Sequence, residues 1–195
     1  MPNGIYCIGG RSSPCTSDFL PNGQCEWQAG PVVPEPGIGG GHGVAISDTE
    51  LLIIGCGYEA KNKMLKFNIE KKLWTDVGSL LQGRWFHRSF LYKGKVIVTG
   101  GKHVSNPLLK LTEVIDLSSW ASKRAGELNV QRWGHGMGLV EINGKSKLIV
   151  FGGGYNGSII DSIEEWDEDS ETWKMSTMKM SSAKQLFGYL QLPQF

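Results

Sequence analysis

No stretch of this chain is apolar for the roughly 20 residues that a membrane-spanning helix requires, so no spanning helix is expected within it. Neither sign of charge dominates, with 20 Lys+Arg against 19 Asp+Glu. The chain therefore lacks the basic excess on which nucleic acids and anionic membranes depend. Its first residues, "MPNGIYCIGG", have no charged start and no long apolar core, unlike a secretory signal. The four cysteines, Cys7, Cys15, Cys25 and Cys56, form no Cys-x-x-Cys pair, so a zinc knuckle is not expected. Cys15 and Cys25 flank the loop "TSDFLPNGQ" and could be joined in an oxidising compartment. Without a signal sequence, reduced thiols and a cytoplasmic location are expected; a truncated N-terminus would reopen secretion. There is no Ser–His–Asp signature and no carboxylate pair set apart beside a histidine. No catalytic residue, cofactor or metal is expected.

What the chain does have is glycine and tryptophan, 27 and 7 residues. An apolar run ending in glycine occurs four times: "IYCIGG", "LLIIGCG", "VIVTGG" and "LIVFGGG". The first glycines are Gly9, Gly55, Gly100 and Gly152, spaced by 46, 45 and 52 residues. A tryptophan trails each of them, at Trp27, Trp74, Trp120 and Trp173. A histidine precedes three of them, in "GGGHGVAI", "RWFHRSF" and "RWGHGMGL", at His42, His87 and His135. Features that recur together at a steady period mark an internal repeat. A phosphate-cradling loop would instead be a single glycine loop feeding a helix, and no good helix pattern follows any of the four.

Each unit reads as about four short strands, β-branched and aromatic, with turn residues between them. In the third unit these are "HRSFLY", "KVIVTGG", "LTEVIDL" and the start of "WASKRAG". One such sheet cannot hide both faces; several packed radially can, which is the propeller solution. The double glycine after an apolar strand, the aromatic residue of strand three and the later tryptophan resemble the kelch repeat, whose length of about 50 residues also fits. The strand-three position is held by Phe67 and Trp166, each seven residues before its tryptophan. Unit three departs, with Ile115 and Trp120; unit two has Cys56 for its second glycine; in unit one Phe19 and Leu20 both qualify. The other common propeller repeat pairs "GH" with "WD", but Trp-Asp occurs only once, at Trp166–Asp167.

The fold expected is all-β: one kelch-type β-propeller domain over 1–195, with four repeats of about four antiparallel strands. The repeats run roughly 1–37 plus 182–195, 38–82, 83–129 and 130–181. The first blade is completed by the C-terminal strand, because "NGIYCIGG" starts on strand two and "SSAKQLFGYLQL" reads as a strand one. There Lys184 takes the place of Arg84 and Arg132, and Phe187 that of His87 and His135. The alternative is a piece of a longer multi-blade protein.

The recurring histidines read as repeat-wise structural hydrogen bonds before they read as a metal site. The acids Asp161, Glu164, Glu165, Asp167, Glu168, Asp169 and Glu171 read as a solvated outer strand and turn. Asn156-Gly157-Ser158 matches a glycosylation acceptor. The kelch resemblance implies a binding face built from two sets of residues. Loops after the double glycines give Arg11 and Ser12, Tyr58 and Glu59, Lys102 and His103, and Tyr155 and Asn156. Lead-ins to strand one give Gly40, Trp85, Trp133 and Gln185, with Arg84, Arg132 and Lys184 before them. Arg, Trp and Tyr are enriched in binding hot spots. The competing reading is that the tryptophans pack between blades and the arginines make structural bonds. The function expected is a noncatalytic interaction scaffold or adaptor, a monomer binding a protein or peptide with acidic and apolar groups. Kelch relatives include ubiquitin-ligase receptors and actin-associated proteins; others are a copper oxidase and sugar-processing enzymes, which supply the enzyme alternative.

Overall fold

The computed structural model describes residues 4–9, 16–34, 40–56, 61–105 and 109–186. All its regular elements are strands. β1 (Gly4–Ile8), β2 (Ser17–Pro21) and β3 (Gln28–Ala29) make a three-stranded sheet. β4 (His42–Ala45), β5 (Glu50–Cys56), β6 (Lys61–Asn68) and β7 (Leu73–Ser79) form a four-stranded sheet in sequence order. The third sheet is β8 (Arg88–Tyr92), β9 (Lys95–Thr99), β10 (Thr112–Asp116) and β11 (Ser122–Ala125). In the fourth, β12 (Gly136–Ile142) and β13 (Lys145–Phe151) are followed by a small hairpin of β14 (Gly154–Tyr155) and β15 (Ser158–Ile159). Strands β16 (Ser162–Asp167) and β17 (Thr172–Lys179) complete that sheet. All pairings are antiparallel. By compactness the chain divides into two units, Met1–Trp85 and Phe86–Phe195.

The apolar runs become central strands because both of their faces are covered. Leu52, Ile53 and Ile54 of β5, Val96 to Val98 of β9, and Leu148 and Val150 of β13 are buried. In the first unit Ile53 and Leu65 pack with Val33, Ile8 and Trp74. In the second, Ile97 and Val114 of the third sheet pack with Met137, Leu148, Val150, Trp166 and Trp173 of the fourth. The indole of Trp173 donates to Thr112 Oγ1 at 2.9 Å, tying those two sheets together.

The double glycine is a joint between successive sheets. Gly100 has φ +59°, and a Cβ on it would lie 2.4 Å from the Arg132 carbonyl oxygen. Its neighbour Gly101 donates its N–H to that same oxygen at 2.9 Å. One repeat later Gly153, at φ +104°, donates to Lys184 O at 2.7 Å. Only glycine combines this conformation with so close a backbone approach.

A second repeated device escaped the motif search. The turn from strand three to strand four starts on Asn68, Asp116 or Asp167, whose side-chain oxygen accepts the backbone N–H of Lys71, of Ser118 and Ser119, or of Ser170. Each turn closes on a residue with positive φ: Lys72, Trp120 and Glu171. Asx turns tolerate this left-handed conformation. Trp120 is therefore a turn residue. Ladder partners of the strand-three position lie seven residues on: Phe67 with Trp74, Ile115 with Ser122, Trp166 with Trp173. In the first sheet the ladder ends at Phe19 and Gln28, one step short of Leu20 and Trp27. Leu20 thus holds the strand-three position, while Phe19 stacks on Tyr6 with ring centroids 4.3 Å apart.

The histidine alignment needs one correction. His42 pairs with Ile54, the residue before Gly55, as Arg88 pairs with Thr99 and Gly136 with Phe151. Gly41, not His42, holds the place of His87 and His135. A Cβ at Gly41 would lie 2.3 Å from Gly55 O, so no imidazole fits there. Gly40, at φ +77°, accordingly matches Phe86, Gly134 and Leu186, which have φ of 55°, 57° and 50°. It does not match Trp85 and Trp133.

Of the segment 182–195, in which the closing strand is expected, residues 187–195 lie outside the described residues. The segment leading to them follows the repeat: Leu186 donates to Gly134 O at 2.8 Å, as Gly134 donates to Phe86 O at 2.9 Å.

Candidate protein-binding face

Arg11, Ser12, Tyr58 and Glu59 lie outside the described residues. The other candidates divide sharply between interior and surface.

Arg84 and Arg132 are fully buried, at 0% exposure. Arg132 Nη1 donates to Gly152 O at 2.9 Å and Ser162 O at 3.0 Å. Its Nη2 donates to Ser162 Oγ at 3.2 Å and Glu164 Oε1 at 2.7 Å. Glu164, also at 0% exposure, accepts in addition Asn129 N at 2.6 Å, Asn129 Nδ2 at 3.0 Å and Val130 N at 3.1 Å. Burial lowers the guanidinium's pKa from its ordinary value, and the Glu164 charge opposes that shift. The expectation that Arg84 and Arg132 contact a partner is thereby corrected. A guanidinium withdrawn from solvent cannot reach one, and that of Arg132 fastens the chain between strands of its own sheet. Glu113 occupies the register position of Glu164, opposite Val98 as Glu164 is opposite Val150.

His135 is likewise structural, since its Nε2 lies 2.9 Å from Thr99 Oγ1 in the preceding sheet. The acids are dispersed over separate tasks. Asp167 pairs with Lys174, Glu168 with Lys93, Glu171 with Lys123, and Asp161 with Lys179. Among the described residues no group of three or more His, Cys, Asp or Glu side chains could hold a metal ion. Cys7 and Cys25 are exposed free thiols; Cys15 lies outside the described residues.

The surface set in the second unit comes together at Gly154. Trp133 pairs through its backbone with Gly154, accepting that residue's N–H at 2.9 Å. A Cβ at Gly154 would lie 2.3 Å from Gln185 Oε1 and 2.7 Å from Trp133 Nε1. Its missing side chain lets Gln185 and Trp133 meet. The half-buried Trp133 ring tilts against Phe86, with centroids 5.6 Å apart. Lys102 Nζ sits 3.7 Å from the Trp133 ring centroid. Tyr155 and Asn156 start a hairpin with φ of +45° at Asn156 and +78° at Gly157, the pattern that Asn-Gly supports in a tight hairpin turn. Tyr155 is 36% exposed and Ile159, on the return strand, 48%. His103 is turned onto its own loop, with Nδ1 2.8 Å from Ser105 Oγ. Trp85 is half-buried.

Sequence reasoning missed a separate groove in the first unit. It has a volume of about 400 Å³ and lies between β1 and β4–β5, with Tyr6, Ile8, His42, Val44, Leu51 and Ile53 in its walls.

No protein-family model matches the chain. Beta-scruin of Limulus polyphemus, a kelch-repeat protein, is 25% identical over an alignment of 119 positions that covers 56% of this chain and 12% of that protein. The solved structure of YjhT matches with a TM-score of 0.72 at 19% identity, covering 94% of this chain and 64% of that one. The chain thus spans less than two thirds of either protein. Sheet by sheet, this is the antiparallel architecture of a β-propeller. With its glycine joints and fold likeness, it is a kelch-repeat β-propeller fold.

Proposed function

We propose that this chain is a noncatalytic protein-interaction module. Its binding face is formed by the loops after the double glycines and the lead-ins to the inner strands. The observation that supports this most is the cluster of Lys102, Trp133, Gly154 and Gln185 beside the exposed Tyr155 hairpin. An aromatic anchor fixed by backbone pairing loses little conformational freedom on binding, and Trp and Tyr dominate interface energetics. The loops of the third and fourth sheets, 100–111 and 152–161, are also longer than that of the second, 57–60. Binding therefore centres on the second unit. A reducing, cytoplasmic location and a monomeric state belong to the same proposal.

Selection of a phage-displayed random peptide library against the intact chain tests this. Specific peptides should be enriched, and Tyr155→Ala with Trp133→Ala should abolish their capture while cooperative unfolding persists. No enrichment, or capture lost only together with folding, would refute the module.

A further inference from the structure

Lys102 differs from the other well-placed lysines. Lys63, Lys66, Lys93, Lys123, Lys174 and Lys179 each pair with a carboxylate: Asp76, Glu50, Glu168, Glu171, Asp167 and Asp161. Among the described residues no carboxylate pairs with Lys102. Its ammonium rests instead on the Trp133 ring, 3.7 Å from the centroid. The residue before it is anchored through both of its backbone groups. Gly101 donates to Arg132 O at 2.9 Å and accepts from Leu109 N at 3.0 Å. The ring is anchored too, by the Gly154 bridge and by Phe86.

The surrounding charge is mainly of one sign. The stretches 100–105, 152–161 and 184–186 contain Lys102, His103 and Lys184 and a single acid, Asp161, which pairs with Lys179. In a chain whose total charge is +1, that is a local cationic patch. Cation–π contact orients the ammonium without using up its N–H donors. A carboxylate arriving at the free side would gain a charge-assisted hydrogen bond to a lysine whose rotamer is already fixed. With both arginines of the repeat buried, the lysines of this face among the described residues are Lys102 and Lys184, and Lys102 is the one held on an aromatic ring. Tyr155 and Ile159 stand close by as apolar surface.

Resting on the binding-face reading above, we propose that the ligand is a peptide segment bearing an Asp or Glu carboxylate beside an apolar side chain. Lys102, held by Trp133, is the residue that selects the carboxylate. Lys102→Arg preserves both charge and ring contact, whereas Lys102→Met preserves only the stem over the ring.

The test measures Kd by calorimetry for peptides enriched from the random library, each made also with Asn or Gln replacing Asp or Glu. Expected are acidic consensus peptides that bind about tenfold more weakly to Lys102→Met, a charge-assisted bond's contribution. Amide replacement should weaken binding to the parent chain equally and to Lys102→Met no further, and Lys102→Arg should restore it. Enriched peptides that carry no acid, or that bind Lys102→Met unchanged, would overturn the carboxylate assignment while leaving the interaction module standing. A library that yields no binder overturns both.

Discussion

Replacing Arg132 with methionine keeps the aliphatic stem and removes four contacts, those to Gly152 O, Ser162 O, Ser162 Oγ and Glu164 Oε1. It leaves Glu164 as a carboxylate at 0% exposure, still holding the N–H groups of Asn129 and Val130. Breaking a buried ion pair from one side costs about 3–5 kcal/mol, because the remaining charge is uncompensated. In a chain of this size each kcal/mol moves the unfolding midpoint by about 2–4 °C, so Arg132→Met should lower it by roughly 6–20 °C. The double variant Arg132→Met/Glu164→Leu should lose less than the two single variants together, by about 0.5–3 kcal/mol of coupling. It should not recover fully, since Asn129 N and Val130 N lose their acceptor. The second repeat has an apolar solution at this position, with Leu65 buried where Glu164 stands in the fourth. Urea unfolding of the four proteins, read by tryptophan fluorescence, measures the cycle. Single-variant losses below about 1 kcal/mol, or strict additivity within about 0.5 kcal/mol, would refute the reasoning.

Two further perturbations probe the joints and the turns. Gly153→Ala places a methyl group 2.9 Å from His135 Cβ and 3.0 Å from Trp133 O at φ +104°, whereas Gly144→Ala meets nothing within 4 Å at φ +70°. Both place a Cβ at positive φ, which costs about 1–2 kcal/mol, and only Gly153→Ala adds the close contacts, so it should unfold well below Gly144→Ala in a thermal melt; equal midpoints would contradict the joint. The Asp116 carboxyl is lowered from 3.8 to about 2, chiefly by the Ser118 hydroxyl, then by the N–H groups of Ser119 and Ser118. A lowered carboxylate pKa stabilises the fold above the unfolded value and loses that contribution as pH falls through the folded one. The midpoint gap between the parent chain and Asp116→Ala should therefore be constant above pH 3.8 and close towards about 2; a gap independent of pH across that window would exclude the carboxylate as its source.

The repeat was legible because its signals are local: an apolar run, two glycines and a fixed period. These place the central strands and their joints without knowledge of partners. The side on which a side chain points was not legible in the same way. "RW" before a histidine reads alike whether the arginine faces solvent or the sheet. What decides it for Arg132 is Glu164, a residue first grouped with an acidic cluster. The signal was present as co-occurrence: Arg132 goes with Glu164 and Arg84 with Glu113, while the second repeat has an apolar residue, Leu65, at the glutamate's position.

The displaced histidine has a different cause. In "GGGHG" the glycines carry no orientation, and aligning His42 with His87 and His135 slips the register by one residue. A one-residue slip sends each side chain of a strand to the opposite face. The pairing of His42 with Ile54 and the positive φ at Gly40, matched to Phe86, Gly134 and Leu186, restore the alignment. Trp120 fails for the reason that Asp116 succeeds. The Asx turn fixes the chain four residues after the aspartate in a left-handed conformation, and the tryptophan that composition suggested for strand four falls in that place. The candidate face follows from both corrections. Once the arginines turn inward and Gly40 leaves the lead-in set, the proposed binding face in the second unit is left with Lys102, Trp133, Tyr155 and Gln185, and the bare Cα of Gly154 is what leaves room for Gln185 beside Trp133.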